Sequence, residues 1–445
     1  MVRVVTAVFD IGKTNKKYFL FNEALEEIRH EYAELPMTSD EDGYPCDDAV
    51  AIVEWIKSTI DGLLGNPDFH LRAVNFSTYG ATLVHLDDKG NPVTPLYNYL
   101  KPFPSELASR FQSTHGASQN DLETASPFLG MLNSGLQLYW LKYERPDLFR
   151  NVRHTLHFPQ YLAYALTGKM VTEPTSVGCH TKLWDFRRSD YHSWVISEGL
   201  RELFPDIVPT STSFEVTRKG KSFRVGVGIH DSSSALAAYL MRSPDPFLLV
   251  STGTWSITMN PFTEENLTRE ELERDCLNYL TPEGNPVKAS RLFLGHELDH
   301  QLKTLNRLFD RDTKYYKQIR LNQSFLRAIE GGAVDNLYYP EVLGNEKLVA
   351  DVFRPVKWDP QGCASYEEAY HHIIWGLVRL QVASVRLALG RSPIRKVFVD
   401  GGFVDNELYI TLLRHFLPDL IIEPSRAPLG SAHGAAGILE KELKN

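Results

Sequence analysis

Residues 225–260 read VGVGIHDSSSALAAYLMRSPDPFLLVSTGTWSITMN, and the order of elements in this stretch decides the fold class. A strand through Ile229 ends at His230-Asp231, and Ser232 to Leu240 continue as a helix with the Asp231 carboxylate at its mouth. Phe247 to Val250 then form a strand, Ser251-Thr252-Gly253-Thr254 a polar turn, and Trp255 to Met259 a return strand. The same strand–turn–strand pattern opens the chain at VVTAVFDIGKTNKKYFLFN. There Val4 to Phe9 are too short and too β-branched a run to prefer helix, and Asp10 to Asn15 supply the turn. Two such hairpins, about half the chain apart and with an acid beside one of them, point to a phosphate site divided between two halves.

Working outward, Lys17 to Phe21 return from the first turn and a third strand follows around Leu25 to Tyr32. From Asp47 to Leu64 the apolar residues Val50, Val53, Ile56, Ile60 and Leu63 recur at helical spacing. Leu71 to Ser77 and Thr82 to Leu86 read as strands. Ser105 to about Leu203 is mostly helical, Pro205 to Ser213 is turn-rich, and Phe223 to Ile229 returns to strand. In the second half, long helices follow the hairpin, notably Tyr366 to Leu389. Lys396 to Asp400 then form a strand that runs into Gly401-Gly402, with a helix Glu407 to Phe416, a strand Leu420 to Glu423 and a last helix Gly430 to Leu443. The expected class is α/β, with one domain over 1–236 and a second over 237–445, each a mixed sheet flanked by helices.

Composition narrows the function. The 445 residues are 43% hydrophobic and 23% charged, which suits a globular chain with real cores. A formal net charge of −9 argues against nucleic acid, whose phosphates demand clustered Lys and Arg. No apolar run approaches the ~20 residues that span a bilayer, and the N-terminus lacks the small-residue cleavage site of a signal peptide. The four cysteines are far apart, so neither a zinc cage nor a disulfide framework is indicated and a cytoplasmic setting fits.

Three strand-to-turn junctions combine Gly with small hydroxyl residues or a second Gly: Gly12/Thr14, Thr252/Gly253/Thr254 and Gly401/Gly402. Gly lets the backbone approach a phosphate, successive N–H groups form an anion nest, and hydroxyls donate to its oxygens. One such turn alone is an ordinary tight turn; three at the ends of buried strands suit a nucleotide triphosphate. Ala7 to Thr14 also fits a loose P-loop pattern, but strand on both sides of the turn makes that match accidental. His296-Glu297-Leu298-Asp299-His300 matches the H-E-x-x-H of zinc peptidases; with no suitable third ligand downstream, it reads as a surface helix. Asp231 reads as a helix N-cap and, compatibly, as a general base held ionised by the helix N-terminus.

Taken together, these motifs resemble the FGGY carbohydrate kinases of the actin-like ATPase superfamily. DIGKTNKK resembles the first phosphate motif, HFPQYLAYALTG the mid-domain helix, and GIHDSSSA the base motif. STGTWS resembles the second phosphate motif and VDGGFVDNELY the adenosine motif, and the pairing of HDSSSA with STGTWS is most similar to the L-rhamnulose/L-fuculose kinase branch. The resemblance implies two actin-like (ribonuclease H-like) domains with the active site in the cleft between them, and phosphorylation of a ketose or polyol hydroxyl by Mg²⁺-ATP. It implies Asp231 as base, Asp10 as the Mg²⁺ residue, and Gly12, Lys13, Thr14, Asn15 and Lys17 along the phosphate path. Thr252, Gly253 and Thr254 would hold the terminal phosphates, and Gly401, Gly402 and Asn406 the adenosine end. The sugar would lie under Thr78-Tyr79-Gly80 beside His230. The implied partners are a small sugar and ATP, with no nucleic acid and no membrane, and a homodimer as a possible assembly. Two stretches depart from the family. Lys13 and Asn15 stand for the usual Thr and Ser, so Lys13 either helps at the γ-phosphate or faces solvent. Asn98, Tyr99 and Lys101 replace the Asp-x-Arg that fixes sugar hydroxyls. A sugar sensor without catalysis is the alternative these departures suggest.

Overall fold

The computed structural model of the chain describes residues 2–331, 338–425 and 430–443. These fall into two compact units, 1–242 with 278–286 and 429–445, and 243–277 with 287–428. The division lies at 242/243 rather than at the expected 236/237, and the last helix belongs to the first unit.

In the first unit, β1 (Arg3–Ile11), β2 (Lys16–Phe21), β3 (Glu27–Ala33), β4 (Phe69–Thr78), β5 (Ser213–Arg218) and β6 (Lys221–Gly226) form one sheet in the order β5-β6-β4-β1-β2-β3. A short β7 (Ile229–His230) adds to β4. β1 is antiparallel to β2 and parallel to β4, so the ends of β1, β4 and β7 emerge together. This is the position where open α/β sheets carry ligands. Helix α1 (Ala49–Gly65) covers one face with Ile52, Ile56, Ile60 and Leu63, and α2 (Phe158–Thr167) adds Phe158, Tyr161 and Leu162. Residues 47 and 48, expected in α1, precede it. Asp48 caps it by accepting from the Val50 and Ala51 amides at 2.9 and 3.0 Å, and Asp47 closes the short strand Pro45–Asp47. Helix α3 (Asp231–Arg242) follows β7.

The second unit repeats the strand arrangement. Its sheet holds β8 (Phe247–Thr252), β9 (Ser256–Asn260), β10 (Cys276–Leu280), β11 (Pro286–Leu292), β12 (Lys396–Gly401) and β13 (Ile421–Pro424), in the order β10-β11-β9-β8-β12-β13, with 278–280 of β10 and Pro286 of β11 counted in the first unit. β8 is antiparallel to β9 and parallel to β12, as β1 is to β2 and β4. Strands β10 and β11 stand where helices were expected directly after the hairpin. Helices α4 (Leu294–Leu308), α5 (Tyr366–Leu389) and α6 (Glu407–Phe416) follow. α5 is the one described helix long and apolar enough by composition to cross a membrane, yet 67% of its apolar window is buried in this unit's core, against Val397, Val399, Leu408 and Leu412. Helix α7 (Gly430–Leu443) packs in the first unit, its Ala432, Ala435 and Ala436 against Val8, Ile229 and Ala237. The four cysteines are buried and form no disulfide.

Candidate active site

The first unit gathers its acids at the ends of β1 and β7. Asp10 lies beside Ser77 of β4 and across from Lys17 of β2. Its Oδ1 accepts from the Ser431 hydroxyl at 2.6 Å, and Lys17 Nζ stands 3.8 Å from Oδ2. Burial pushes the Asp10 carboxyl above its ordinary value; Ser431 and Lys17 pull it back, and the charge of Asp231 raises it further.

Asp231 is the first residue of α3 rather than a cap before it. Its Oδ1 accepts from the adjacent Ser232 amide at 2.6 Å, not from amides further into the turn. Burial pushes its carboxyl up to about 6, against the pull of Ser232. Desolvation therefore outweighs the helix terminus that was expected to hold the group fully ionised. His230 Nε2 lies 3.3 Å from Asp231 Oδ1, and burial lowers the imidazole to about 3, so the ring beside the acid is neutral. The Asp231 side chain keeps 34% exposure, which leaves it open to a ligand.

Two carboxylates with raised affinity for protons, one influencing the other, fit a divalent cation, which would relieve the repulsion that burial amplifies.

The turn after β1 is closed by Gly12 N–H donating to the Asn15 carbonyl at 2.9 Å, and β2 follows directly. No helix follows it, so the P-loop match is accidental. Lys13, its side chain 20% exposed, has its Nζ 2.9 Å from Asp47 Oδ2. Lys16 Nζ binds Asp47 Oδ1 at 2.7 Å, and the Tyr79 hydroxyl donates to Oδ2 at 2.7 Å. Burial would raise Asp47, but Lys16, Lys13 and Tyr79 outweigh it and hold the carboxyl below its ordinary value. Thr78 is buried at the end of β4, and its hydroxyl donates to the Tyr79 carbonyl at 3.1 Å. Gly80 lies against His230. Tyr99 packs edge-on to Tyr79 at 6.0 Å, and its phenol is pushed up to about 12 by burial and by the charges of Asp231 and Asp47. Lys101 is buried and paired with Asp40 and, at 2.7 Å, with Asp42; Asn98 donates to the Pro45 carbonyl at 2.8 Å. Of the three residues replacing the Asp-x-Arg, only Tyr99 is oriented toward the acids.

The second unit holds a cavity of about 350 Å³ lined by Gly253, Thr254, Gly402 and Asn406 together with Tyr316 and Arg320. Thr252 and Gly401 stand behind its wall. The Thr252 hydroxyl donates to the Asp400 carbonyl at 2.5 Å and accepts from the Phe403 amide, while the Gly402 amide donates to the Thr252 carbonyl at 2.9 Å. Gly401 is required here: φ is +90°, and a Cβ would sit 1.8 Å from that carbonyl oxygen. Asn406 caps α6 by accepting from the Tyr409 amide, and its Nδ2 donates to the Tyr370 hydroxyl at 2.9 Å. The Gly295 and His296 amides at the start of α4 donate to the Thr254 carbonyl. The lining combines small and polar residues with the aromatic Tyr316, Tyr370 and Phe403.

The H-E-x-x-H helix is not a metal site. Glu297 is fully buried and accepts from the Tyr338 hydroxyl, Gln301 and the Glu341 and Val342 amides, while His296 stacks on Phe293 and His300 pairs with Glu341. It is a surface helix, as expected: His296, Asp299, Lys303 and Arg307 are exposed, and Glu297 lies on the buried face. Sequence reasoning also missed Asp47 and Ser431; only the doubled acid Asp47-Asp48 carried a signal.

The two sheets thus share one strand pattern, the first with Asp10 and Asp231 at its strand ends and the second beside a cavity of about 350 Å³. The chain belongs to the FGGY family of carbohydrate kinases: the pattern of that family's N-terminal domain matches residues 5–234, and that of the carbohydrate kinase FGGY C-terminal domain matches 244–326. Among curated relatives, a rhamnulokinase of Oceanobacillus iheyensis is 26% identical over 219 residues, 46% of this chain and 44% of the relative. An L-fuculokinase of Escherichia coli K12 is 23% identical over 282 residues, 58% of this chain and 57% of the relative. The matches thus span about half the length of these relatives. A carbohydrate kinase from Novosphingobium aromaticivorans superposes with a TM-score of 0.82 at 24% identity, covering 99% of this chain and 92% of that one. A ligand-bound xylulose kinase from Lactobacillus acidophilus gives 0.80 at 14% identity, covering 99% and 90%. These likenesses support the fold: two α/β domains, each a mixed sheet flanked by helices.

Proposed function

We propose that the chain transfers the γ-phosphoryl group of ATP to a hydroxyl of a small sugar, with Asp231 as general base. The observation that carries this is the Asp231 carboxyl, partly open, poised near 6 and adjoined by a neutral His230. A base with such a value is mostly ionised at neutral pH yet retains affinity for the proton it takes. In the proposed step the sugar hydroxyl gives its proton to Asp231. Its oxygen forms a bond to the γ-phosphorus as the bond to the β–γ bridging oxygen breaks and ADP leaves. His230 would position the hydroxyl by hydrogen bonding, and Lys17 would face the transferred group. Thr252, Gly253 and Thr254 would hold the terminal phosphates and Asn406 the adenosine end, with Gly12, Thr14 and Asn15 along the phosphate path. Magnesium held at Asp10 would supply charge neutralisation on the phosphates.

A ketose such as L-rhamnulose or L-fuculose, or a related ketose or polyol, is the substrate class proposed, supported by the rhamnulokinase and L-fuculokinase among the relatives. Tyr79 and Tyr99 would form its apolar floor. Asp231→Asn should lower kcat by ~10²–10⁴, the scale of losing a general base, with ATP binding little changed. Turnover near that of the unaltered chain would defeat the assignment. ATP consumption across ketoses, polyols and aldoses identifies the acceptor and separates an enzyme from a sensor.

A further inference from the structure

Behind the proposed base lies a cluster of which the proposed phosphoryl transfer uses only His230. Cys179, His180 and His230 are all buried, and each offers a ligand atom within 4.8 Å of the others. The His180 and His230 rings are 6.0 Å apart between centroids, and Tyr279 stands edge-on to His230 at 5.4 Å. The arrangement depends on Gly80. A Cβ there would meet His230 Nε2 at 3.0 Å and Cys179 Sγ at 3.4 Å, so the missing side chain is what allows these two atoms to face one space. His230 Nδ1 lies 3.3 Å from the Ser233 hydroxyl, which itself donates to the Leu280 carbonyl at 3.2 Å and so can accept from Nδ1–H while Nε2 binds a metal. Asp231 Oδ1 lies 3.3 Å from the same Nε2.

We propose that Cys179 Sγ, a ring nitrogen of His180, His230 Nε2 and an oxygen of Asp231 form a zinc-binding site whose occupation blocks the base. A thiolate, two imidazoles and a carboxylate are a donor set that zinc takes tetrahedrally, and that magnesium, which prefers oxygen, does not. Zn–N and Zn–S bonds of roughly 2.0–2.3 Å put the ligand atoms of such a site ~3.4 Å apart. The His230–Asp231 pair already has that spacing, and the remaining atoms need to close by ~1 Å or so. Binding exchanges bonds without redox: the Cys179 thiol proton leaves to water, zinc gives up its bound waters, and four ligand bonds form. Asp231 then spends its lone pair on the metal, and the pocket that would admit the sugar hydroxyl is filled. Zinc should therefore compete with sugar and not with ATP.

Cobalt reports such a site independently of catalysis, because a thiolate ligand gives an intense charge-transfer absorption. Metal-free full-length chain titrated with Co²⁺ should develop that absorption at one equivalent and lose it on addition of Zn²⁺. Cys179→Ser should abolish it and Cys363→Ser, in the other unit, should not. His180→Asn provides the same comparison if Cys179→Ser does not fold by circular dichroism. In the coupled assay, zinc inhibition should be competitive with sugar, and Cys179→Ser should keep turnover while losing most of that inhibition. Absence of the absorption in the unaltered chain, or its full intensity in the folded Cys179→Ser or His180→Asn variant, overturns the site. An inactive chain that still binds cobalt this way would refute the kinase reading and leave the metal site standing.

Discussion

Asp47→Asn tests the charge cluster beneath the first turn. Asp47 is 3% exposed and joins Lys16, which is 9% exposed, to Lys13, which is 20% exposed. Asparagine keeps the shape and one acceptor and removes the charge. Lys13 can swing its ammonium into water, at a loss of about 0.5 kcal/mol. Lys16 has no such exit, because its ammonium would retain only the Lys13 carbonyl at 3.2 Å. Removing one partner of a buried pair costs about 3–5 kcal/mol, and the remaining amide hydrogen bond returns ~1 kcal/mol. The first unit should therefore lose roughly 2–4 kcal/mol. Native-state hydrogen exchange of β1 and β2 amides measures this unit by itself, whereas a global melt of two units does not give one free energy. The sign with pH is fixed by the lowered carboxyl. Its stabilisation is present above the ordinary value of 3.8 and lost as pH falls through the lower folded value, so the penalty at pH 7 should shrink below 3.8. Adding Lys16→Met should recover much of the loss by removing the stranded charge. A penalty under ~1 kcal/mol at pH 7 with no recovery in the double variant would refute the account.

Asp231 predicts an acid limb in kcat/KM with an apparent pKa near 6, absent in Asp231→Asn. Burial of its charge is unfavourable above about 6 and relieved once the group is protonated, so Asp231→Asn should raise the melting temperature more at pH 8 than at pH 4. Gly401→Ala would force a Cβ toward the Thr252 carbonyl at a +90° φ, a strain of ~1–3 kcal/mol. ADP affinity by calorimetry should fall about tenfold or more, with sugar binding unchanged. Glu297→Gln places an amide donor among several donors, so exchange protection of α4 should drop by about 2–3 kcal/mol.

The fold was legible wherever periodicity was strong. Strands β1, β2, β4, β8, β9 and β12 and helices α1, α5, α6 and α7 lie where the apolar spacing placed them, within a few residues. Strand β5, with burial alternating along FEVTR, was hidden because its polar half faces water at a sheet edge. Strand β10 was hidden for the opposite reason: CLNYL is buried at every position, and a short unbroken run has no period. Within the site, residues beside a Gly turn or a helix start could be picked out from sequence. Partners that arrive from far along the chain could not: Asp47 and Ser431 meet the first turn through tertiary contact alone, and a lone Asp or Ser has no pattern to betray it.

Helix α7 gives the first unit a particular order of assembly. Asp10 and Ser431 are separated by 421 positions, and the alanine face of α7 is what covers Val8 and Ile229. During synthesis the N-terminal sheet must therefore wait, with that face bare, until about 430 residues have been made and the second unit has been threaded through. Contacts of such long span are slow to form and leave apolar surface exposed meanwhile. A fragment cut at residue 242 would carry every acid of the proposed active site and still lack the helix that closes over it. Supplying residues 430–443 as a separate peptide is the direct way to ask whether that helix acts as a removable last piece.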